Sequence, residues 1–160
     1  MKKAITTVFS ILALLGIYAC DNSLDKVFDD DTFIEFQPAV ITANSAGRSY
    51  PLISSGNSVT AGATITTQLN LVGRQRGTEL TVRVTPDPNG TTAPASSYTL
   101  SNGGAVVFPP MSSTAALTVT VGRATSSTAT LSNVVLVIDS TSTDYKASQN
   151  YKRVGYSIRR

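Results

Sequence analysis

The sequence predicts an all-β protein, a sandwich of two sheets with about seven to nine short antiparallel strands. Apolar and polar residues alternate with a period of two along much of the chain. Turn-forming stretches such as Asp87-Pro88-Asn89-Gly90 separate these segments, and no stretch keeps the helical period of about 3.6 residues. Only 14% of the residues are charged, and Ser, Thr, Ala, Gly and Val are abundant, which favours strands and turns.

The N-terminal residues predict a secretory signal. Lys2 and Lys3 form a basic start, and the apolar stretch Ile5–Ala19 follows. This stretch is shorter than the about 20 residues that a membrane-spanning helix needs. The only cysteine of the chain, Cys20, comes directly after it.

The segment Ile17–Cys20, "IYAC", resembles the lipobox of bacterial lipoproteins, in a looser form familiar in the Bacteroidetes. The resemblance implies cleavage before Cys20, removal of residues 1–19, and acylation of the Cys20 sulfur and of its new amine. It also implies a lipid-anchored protein of the outer membrane, exposed at the cell surface. The alternative is an incidental cysteine in an ordinary signal peptide. An internal disulfide is excluded, because the sequence contains no second cysteine.

Residues 20–31 predict an acidic, solvated tether that precedes a domain of residues 32–160. Six acidic residues lie between Cys20 and Glu35, against Lys26 alone, whereas ten basic and four acidic residues follow Glu35. The carboxylates of Asp29–Asp31 suit a hard cation, but adjacent acids without the EF-hand spacing are more typical of a spacer. No metal site is therefore predicted.

Alternation predicts four strands, in "TITTQLNLV", "TELTVRVT", "ALTVTV" and "RVGYSIR". Two continuously apolar runs, Ala105–Phe108 and Val134–Ile138, predict strands in the middle of a sheet. One-sided alternation means that each sheet buries one face and exposes the other. The architecture is immunoglobulin-like, without the Cys…Trp…Cys signature of true immunoglobulin domains.

The segments "DTFIEFQPA", "TQLNLVGRQRGTELTVRV" and "TTAPASSYTLSNGGAVVFPPMSSTAALTVTV" resemble Calx-beta-like domains and Bacteroidetes lipoproteins that share a domain of unknown function. The resemblance implies a non-catalytic sandwich on an envelope lipoprotein. Ser97 precedes Tyr98 where the calcium-binding members carry an Asp, and a late acidic cluster is absent from the sequence. The calcium role is therefore not transferred.

Catalysis is not predicted, because the sequence contains no histidine and its four acids beyond Glu35 fall in different predicted segments. No cofactor is predicted. Nucleic acid is not an expected partner, because basic residues are not interleaved with aromatic ones in a known motif. A basic patch for an anionic partner is a minority hypothesis, with these candidates: Arg74, Arg76, Lys146, Lys152, Arg153, Arg159 and Arg160.

Two tyrosines are the candidate ligand-binding residues. Tyr145 and Tyr151 lie in the polar segment "DYKASQNY", where exposed rings can stack on sugars, although core packing is the alternative. Ser140 is a candidate O-glycosylation site, because Asp139-Ser140-Thr141 resembles the acceptor motif of exported Bacteroidetes proteins. As an alternative, the same three residues form a plain turn.

These observations predict a non-catalytic cell-envelope lipoprotein that acts as a binding or accessory subunit of an outer-membrane complex. The expected partners are the membrane, through Cys20, and another envelope protein. The alternative function is a glycan-binding surface module of a polysaccharide-uptake system.

Overall fold

Ten strands and one short helix make up the part of the chain that the computed structural model describes, residues 31–160. The predicted signal, Cys20 and all but the last residue of the tether lie outside this range. The strands are β1 Phe33–Phe36, β2 Leu52–Ser54, β3 Ala63–Val72, β4 Leu80–Pro86, β5 Tyr98–Leu100, β6 Ala105–Phe108, β7 Thr114–Val121, β8 Leu131–Ile138, β9 Lys146–Ala147 and β10 Arg153–Arg159. The helix is α1 Gln37–Ile41, and 3-10 turns occupy Ala95–Ser97 and Ser101–Gly104.

The strands form two five-stranded sheets, so the predicted all-β sandwich is confirmed. The first sheet has the order β5-β7-β3-β1-β9 and the second the order β2-β10-β8-β4-β6. Neighbours are antiparallel except for β1 with β9 and β2 with β10, which are parallel. The described strands exceed the predicted number because β2, β5 and β9 have only three, three and two residues, too few to show alternation.

The core lies between the two sheets, where alternate residues of the long strands meet. Each fully buried aliphatic side chain contributes roughly 1.5–3 kcal/mol relative to an exposed one. The first sheet contributes Ile34, Phe36, Leu69, Leu117 and Val119, and the second contributes Val82, Val84, Leu136, Ile138, Val154 and Ile158. The alternation read from the sequence therefore assigns the inward residues of the long strands correctly.

The outward faces of the two sheets differ. Along β3 and β7 most outward residues are polar and in contact with solvent, with Thr64 paired to Thr120 and Thr66 to Thr118. The second sheet is partly covered, so the expectation that each sheet exposes one whole face is wrong there.

Val135 of β8 points outward yet is fully buried. Tyr50 covers it, together with Gly90 from the loop after β4. A Cβ on Gly90 would lie 2.9 Å from Val135 Cγ2 and 3.0 Å from the Tyr50 hydroxyl oxygen, so only a glycine fits against both. This cover explains why the run Val134–Ile138 is continuously apolar, and the predicted central position of β8 is confirmed.

The predicted central position of β6 is wrong. Among residues 31–160 this strand pairs only with β4, so it forms one edge of the second sheet. Val106 and Phe108 are buried, whereas Val107 between them is 42% exposed. The run Ala105–Phe108 is therefore an alternating strand that looks continuously apolar because its outward residue, Val107, is also apolar.

A buried hydrogen bond joins the sheets through the core. The hydroxyl groups of Thr67 on β3 and Tyr156 on β10 lie 2.7 Å apart, and the two residues are 0% and 2% exposed. Burial raises the pKa of Tyr156, while the bond to Thr67 acts in the opposite direction. Each hydroxyl is the partner that the other needs, because an unpaired polar group in such a core is costly.

The chain enters the sandwich at one end. Lys146 holds Asp31 through an ion pair of 2.5 Å, and its backbone N–H donates to Thr32 O at 2.8 Å. Phe33 pairs with Val72 at this end of β3, which we call the tether end. The other end of β3 lies about 30 Å away, from its ten residues at about 3.3 Å per residue.

Asn57 ties the two sheets together at that far end. Its side-chain amide donates to Gly122 O at 2.9 Å and to Arg159 O at 2.6 Å, and its Oδ1 accepts from Arg159 N at 2.8 Å. Gly122 directly follows β7 of the first sheet, and Arg159 ends β10 of the second. One nearly buried side chain therefore fixes where the ends of both strands lie.

We predict that Tyr156→Phe lowers the free energy of unfolding by about 1–2 kcal/mol, because it leaves the Thr67 hydroxyl buried without a partner. Thr67→Val should have a similar cost. The double variant should lose about 1 kcal/mol less than the sum of the two single variants. Urea unfolding followed by circular dichroism measures all four proteins, and strict additivity would contradict the assigned bond.

Asn57→Ala should cost about 2–3 kcal/mol, because it leaves backbone groups of two strand ends without their partner. The matched control is Asn89→Ala, at an exposed position in the turn after β4, which should change stability by less than about 0.5 kcal/mol. The same urea titration compares them. Equal losses in the two variants would show that Asn57 does not hold the strand ends.

Candidate functional site

The basic residues fall into separate groups and do not form the single patch proposed from the sequence. Arg74, Arg76 and Lys146 lie at the tether end, whereas Arg159 and Arg160 lie at the opposite end. Arg153 is held in neither group, because its Nε donates to Asp87 Oδ2 at 2.8 Å. The fold thus separates cations that are close in the sequence.

A cavity of about 380 Å³ opens at the tether end, beside Arg74 and Arg76. Its charge is mixed, because Asp144 lines it as well. Arg76 Nη1 donates to Asp144 O at 2.9 Å, and the Arg76 carbonyl accepts from Met111 N at 2.8 Å. These contacts give Arg76 a structural task in joining three loops.

The opposite end carries a cavity of about 340 Å³ that three arginines help to line, Arg123, Arg159 and Arg160. We call these three residues and their cavity the arginine end. Ser96 and Ser97 also line it, and no carboxylate side chain of residues 31–160 does. Arginine is the charged residue type in this lining, and the arginine end is our candidate binding site.

Backbone contacts hold the arginine end in place. Gly122 N donates to Ser97 O at 3.2 Å, which joins the end of β7 to the segment before β5. Arg160 N donates to Thr130 O at 3.3 Å, and Thr125 Oγ1 donates to Arg160 O at 3.0 Å. The wall of the cavity is thus built from three segments that are distant in the sequence, 94–97, 122–125 and 159–160.

Arg159 has a double role in this wall. Its Nη1 donates to Ser127 O and Ala129 O, both at 3.3 Å, and so supports the loop between β7 and β8. A guanidinium carries five N–H donors, and within residues 31–160 these two carbonyls are the only partners of the Arg159 side chain. Donors therefore remain for a ligand.

The exposure predicted for Tyr145 is wrong. This side chain is 5% exposed, it packs in the core, and its hydroxyl oxygen accepts a hydrogen bond from Arg83 N at 3.1 Å. The cause is alternation around β9, because Lys146 points outward to Asp31 and Tyr145 therefore points inward. Burial raises the pKa of Tyr145, and a buried ring offers no surface for stacking on a sugar.

Tyr151 is 38% exposed, as expected for a surface aromatic residue. Its carbonyl accepts from Phe36 N at 3.0 Å, which places it beside the end of β1. Because Tyr145 is buried, the two tyrosines do not form a shared platform. Tyr151 remains a single exposed ring.

Ser140 is exposed and sits in a turn directly after β8. Asp139 Oδ1 accepts from Thr141 N at 2.9 Å and from Thr141 Oγ1 at 2.8 Å, and these bonds lower the pKa of Asp139. The turn leaves the Ser140 hydroxyl accessible. O-glycosylation of Ser140 stays a prediction.

The described part of the chain offers neither a metal cluster nor a membrane-crossing helix. No three His, Cys, Asp or Glu residues between 31 and 160 lie close enough to hold a metal ion. None of the helices in that range has the length and apolar character of a membrane-crossing helix. Asp29 and Asp30 of the acidic run lie outside the described residues, and Asp31 is paired with Lys146.

Sequence reasoning missed Arg123. It stands alone in "TVTVGRATSS", two residues after β7 and far from Arg159 and Arg160 in the sequence. The available signal is that all three arginines lie at or directly after the end of a long strand. That signal does not say which strand ends share one end of the sandwich.

Comparisons with known proteins bear on the fold. No protein-family model matches the chain, and no curated protein sequence matches it either. A two-domain protein of unknown function from Bacteroides fragilis has a similar structure, with a TM-score of 0.51 and 8% identity over 94% of this chain and 49% of that one. EndoBT-3987 of Bacteroides thetaiotaomicron, solved with a Man5GlcNAc product, gives a TM-score of 0.49 and 14% identity over 68% of this chain and 28% of that one. The chain thus spans about half or less of these proteins, and the first likeness supports the sandwich fold alone.

Proposed function

We propose that the protein is a non-catalytic lipoprotein of the bacterial cell envelope, anchored through Cys20, that acts as a binding or accessory subunit of an outer-membrane complex. The observation that carries the proposal is the placement of the two ends of the sandwich. The chain enters at the tether end through Asp31, and the arginine end lies about 30 Å away along β3. An anchored domain of this shape offers its arginine end to a partner.

The predicted tether supports this arrangement. Between Cys20 and Asp31 lie enough residues to reach about 35 Å when extended, at roughly 3.3 Å per residue. Several acyl chains on Cys20 give stable anchoring, because each buried methylene contributes about 0.8 kcal/mol. The domain then stands clear of the membrane surface, with the arginine end directed away from the anchor.

The acidic side chains support binding in preference to catalysis. Asp87 is paired with Arg153, Asp31 with Lys146, and Asp139 closes a turn through Thr141. These contacts give the three carboxylates structural roles. The alternative of a glycan-binding module that stacks sugars on two tyrosines loses its support, because Tyr145 is buried.

Cys20→Ser should lose the acyl mass and leave the membrane fraction, because serine lacks the thiol that receives the lipid. Mass spectrometry of the purified chain and membrane fractionation measure the two effects. Ser23→Ala, three residues further on, is the matched control and should keep both lipid and membrane association. A Cys20→Ser protein that stays in the membrane with unaltered mass would falsify the anchor.

Crosslinking of intact membranes followed by affinity purification should recover one envelope protein with the wild-type chain. The yield should fall at least about tenfold with Cys20→Ser, because release from the membrane dilutes the protein away from a partner held there. An unrelated lipoprotein carrying the same affinity tag is the control. Recovery no higher than in that control would overturn the accessory role.

A further inference from the structure

Three arginines and no Asp or Glu of residues 31–160 line the cavity of the arginine end. Arg123, Arg159 and Arg160 line one cavity, and the two ion pairs within residues 31–160 lie elsewhere, at Lys146–Asp31 and Arg153–Asp87. Like charges that converge around one space repel each other. An anion bound between them removes that repulsion, so the arrangement favours an anionic ligand.

Hydrogen bonds hold the backbone beside the arginines of the cavity. The amide of Asn57 fixes the backbone of Gly122 and Arg159 together, and Arg160 is held through Thr125 and Thr130. A site that is already in position loses little conformational entropy on binding. The three guanidinium groups therefore start from a backbone that is arranged before a ligand arrives.

The arginines among the lining residues suit an oxyanion. A guanidinium is planar and always charged, and its parallel N–H donors match the two oxygens of a carboxylate or a phosphate. Ser96 and Ser97 place hydroxyl-bearing residues beside these cations. Their hydroxyl groups can donate to or accept from the hydroxyl groups of a ligand.

The volume of about 340 Å³ falls within the range of small-molecule pockets, near its lower limit of roughly 300 Å³. A nucleic acid strand fits poorly, because the lining contains no aromatic side chain on which a base stacks. We propose that the arginine end is a binding site for a sugar-sized, hydroxylated ligand that carries a carboxylate or a phosphate group. This inference deepens the proposed function, on which it rests for the biological meaning of the ligand.

Two sources supply such chemistry, a free sugar phosphate and an acidic residue of a polysaccharide. The test uses the full chain extracted from membranes in an uncharged detergent. Isothermal titration calorimetry compares glucose 6-phosphate, glucuronate, a galacturonate trimer, glucose and inorganic phosphate. We expect glucose and inorganic phosphate to bind at least about tenfold more weakly than the best charged sugar. Tighter binding of glucose 6-phosphate would identify a free sugar phosphate as the ligand, and tighter binding of the uronates would identify an acidic polysaccharide. Either result supports the site.

Substitutions of single arginines test whether the ligand binds at the arginine end. Arg123→Gln and Arg160→Gln should each weaken the best ligand by about tenfold, because each removes a charged hydrogen-bond donor. Arg74→Gln is the matched control, since it removes the same charge from an exposed position at the tether end and should change affinity less than about twofold. Arg159→Gln is not used, because its guanidinium also supports the loop at Ser127 and Ala129.

Equal binding of glucose and glucuronate, equal losses in Arg123→Gln and Arg74→Gln, or no heat with any of the probes would each overturn the proposal. Inorganic phosphate that binds as tightly as the best sugar also overturns it, because the cavity then takes a bare anion. Failure of this site is distinguishable from failure of the proposed function. Ligand binding that persists when no partner co-purifies removes the accessory role alone, and a recovered partner without ligand binding removes the site alone.

Discussion

The packing of two sheets against each other is the constraint on which the rest of the molecule depends. Each strand can give only every second side chain to the space between the sheets, so the other half must face water or find separate cover. Along β3 and β7 outward threonines face water, whereas Tyr50 and Gly90 cover the outward Val135. The strand ends are free of this alternation, and the cations of the arginine end are placed there.

The long strands could be predicted from the sequence because a pattern that repeats over several residue pairs is recognisable despite single exceptions. β3, β4, β7 and β10 each have seven or more residues, and all were found where the pattern indicated. Short elements carry too little pattern, which is why β2, β5, β9 and α1 were not predicted. An apolar run does not show whether its outward residue is buried. Val107 on an edge strand is exposed and Val135 under Tyr50 is buried, yet both lie in similar apolar runs.

The candidate site was harder to predict than the fold. Tyr145 misled because its neighbours are polar, and local polarity does not reveal that its hydroxyl reaches Arg83 N. Arg123 lies near Arg159 and Arg160 only because the topology brings the ends of β7 and β10 together, where Asn57 and Thr125 bond across the junction. Such a convergence depends on strand pairing over the whole domain, and neither composition nor spacing contains it.

The four edge strands of the sandwich affect how neighbouring copies of the chain contact one another on a membrane. Within residues 31–160 the edge strands β2, β5, β6 and β9 have between two and four residues each. A strand this short offers few unpaired backbone groups, which limits the pairing of one copy with the next. For chains held at high density in two dimensions, as the proposed anchor implies, this brevity limits edge-to-edge pairing between neighbouring copies.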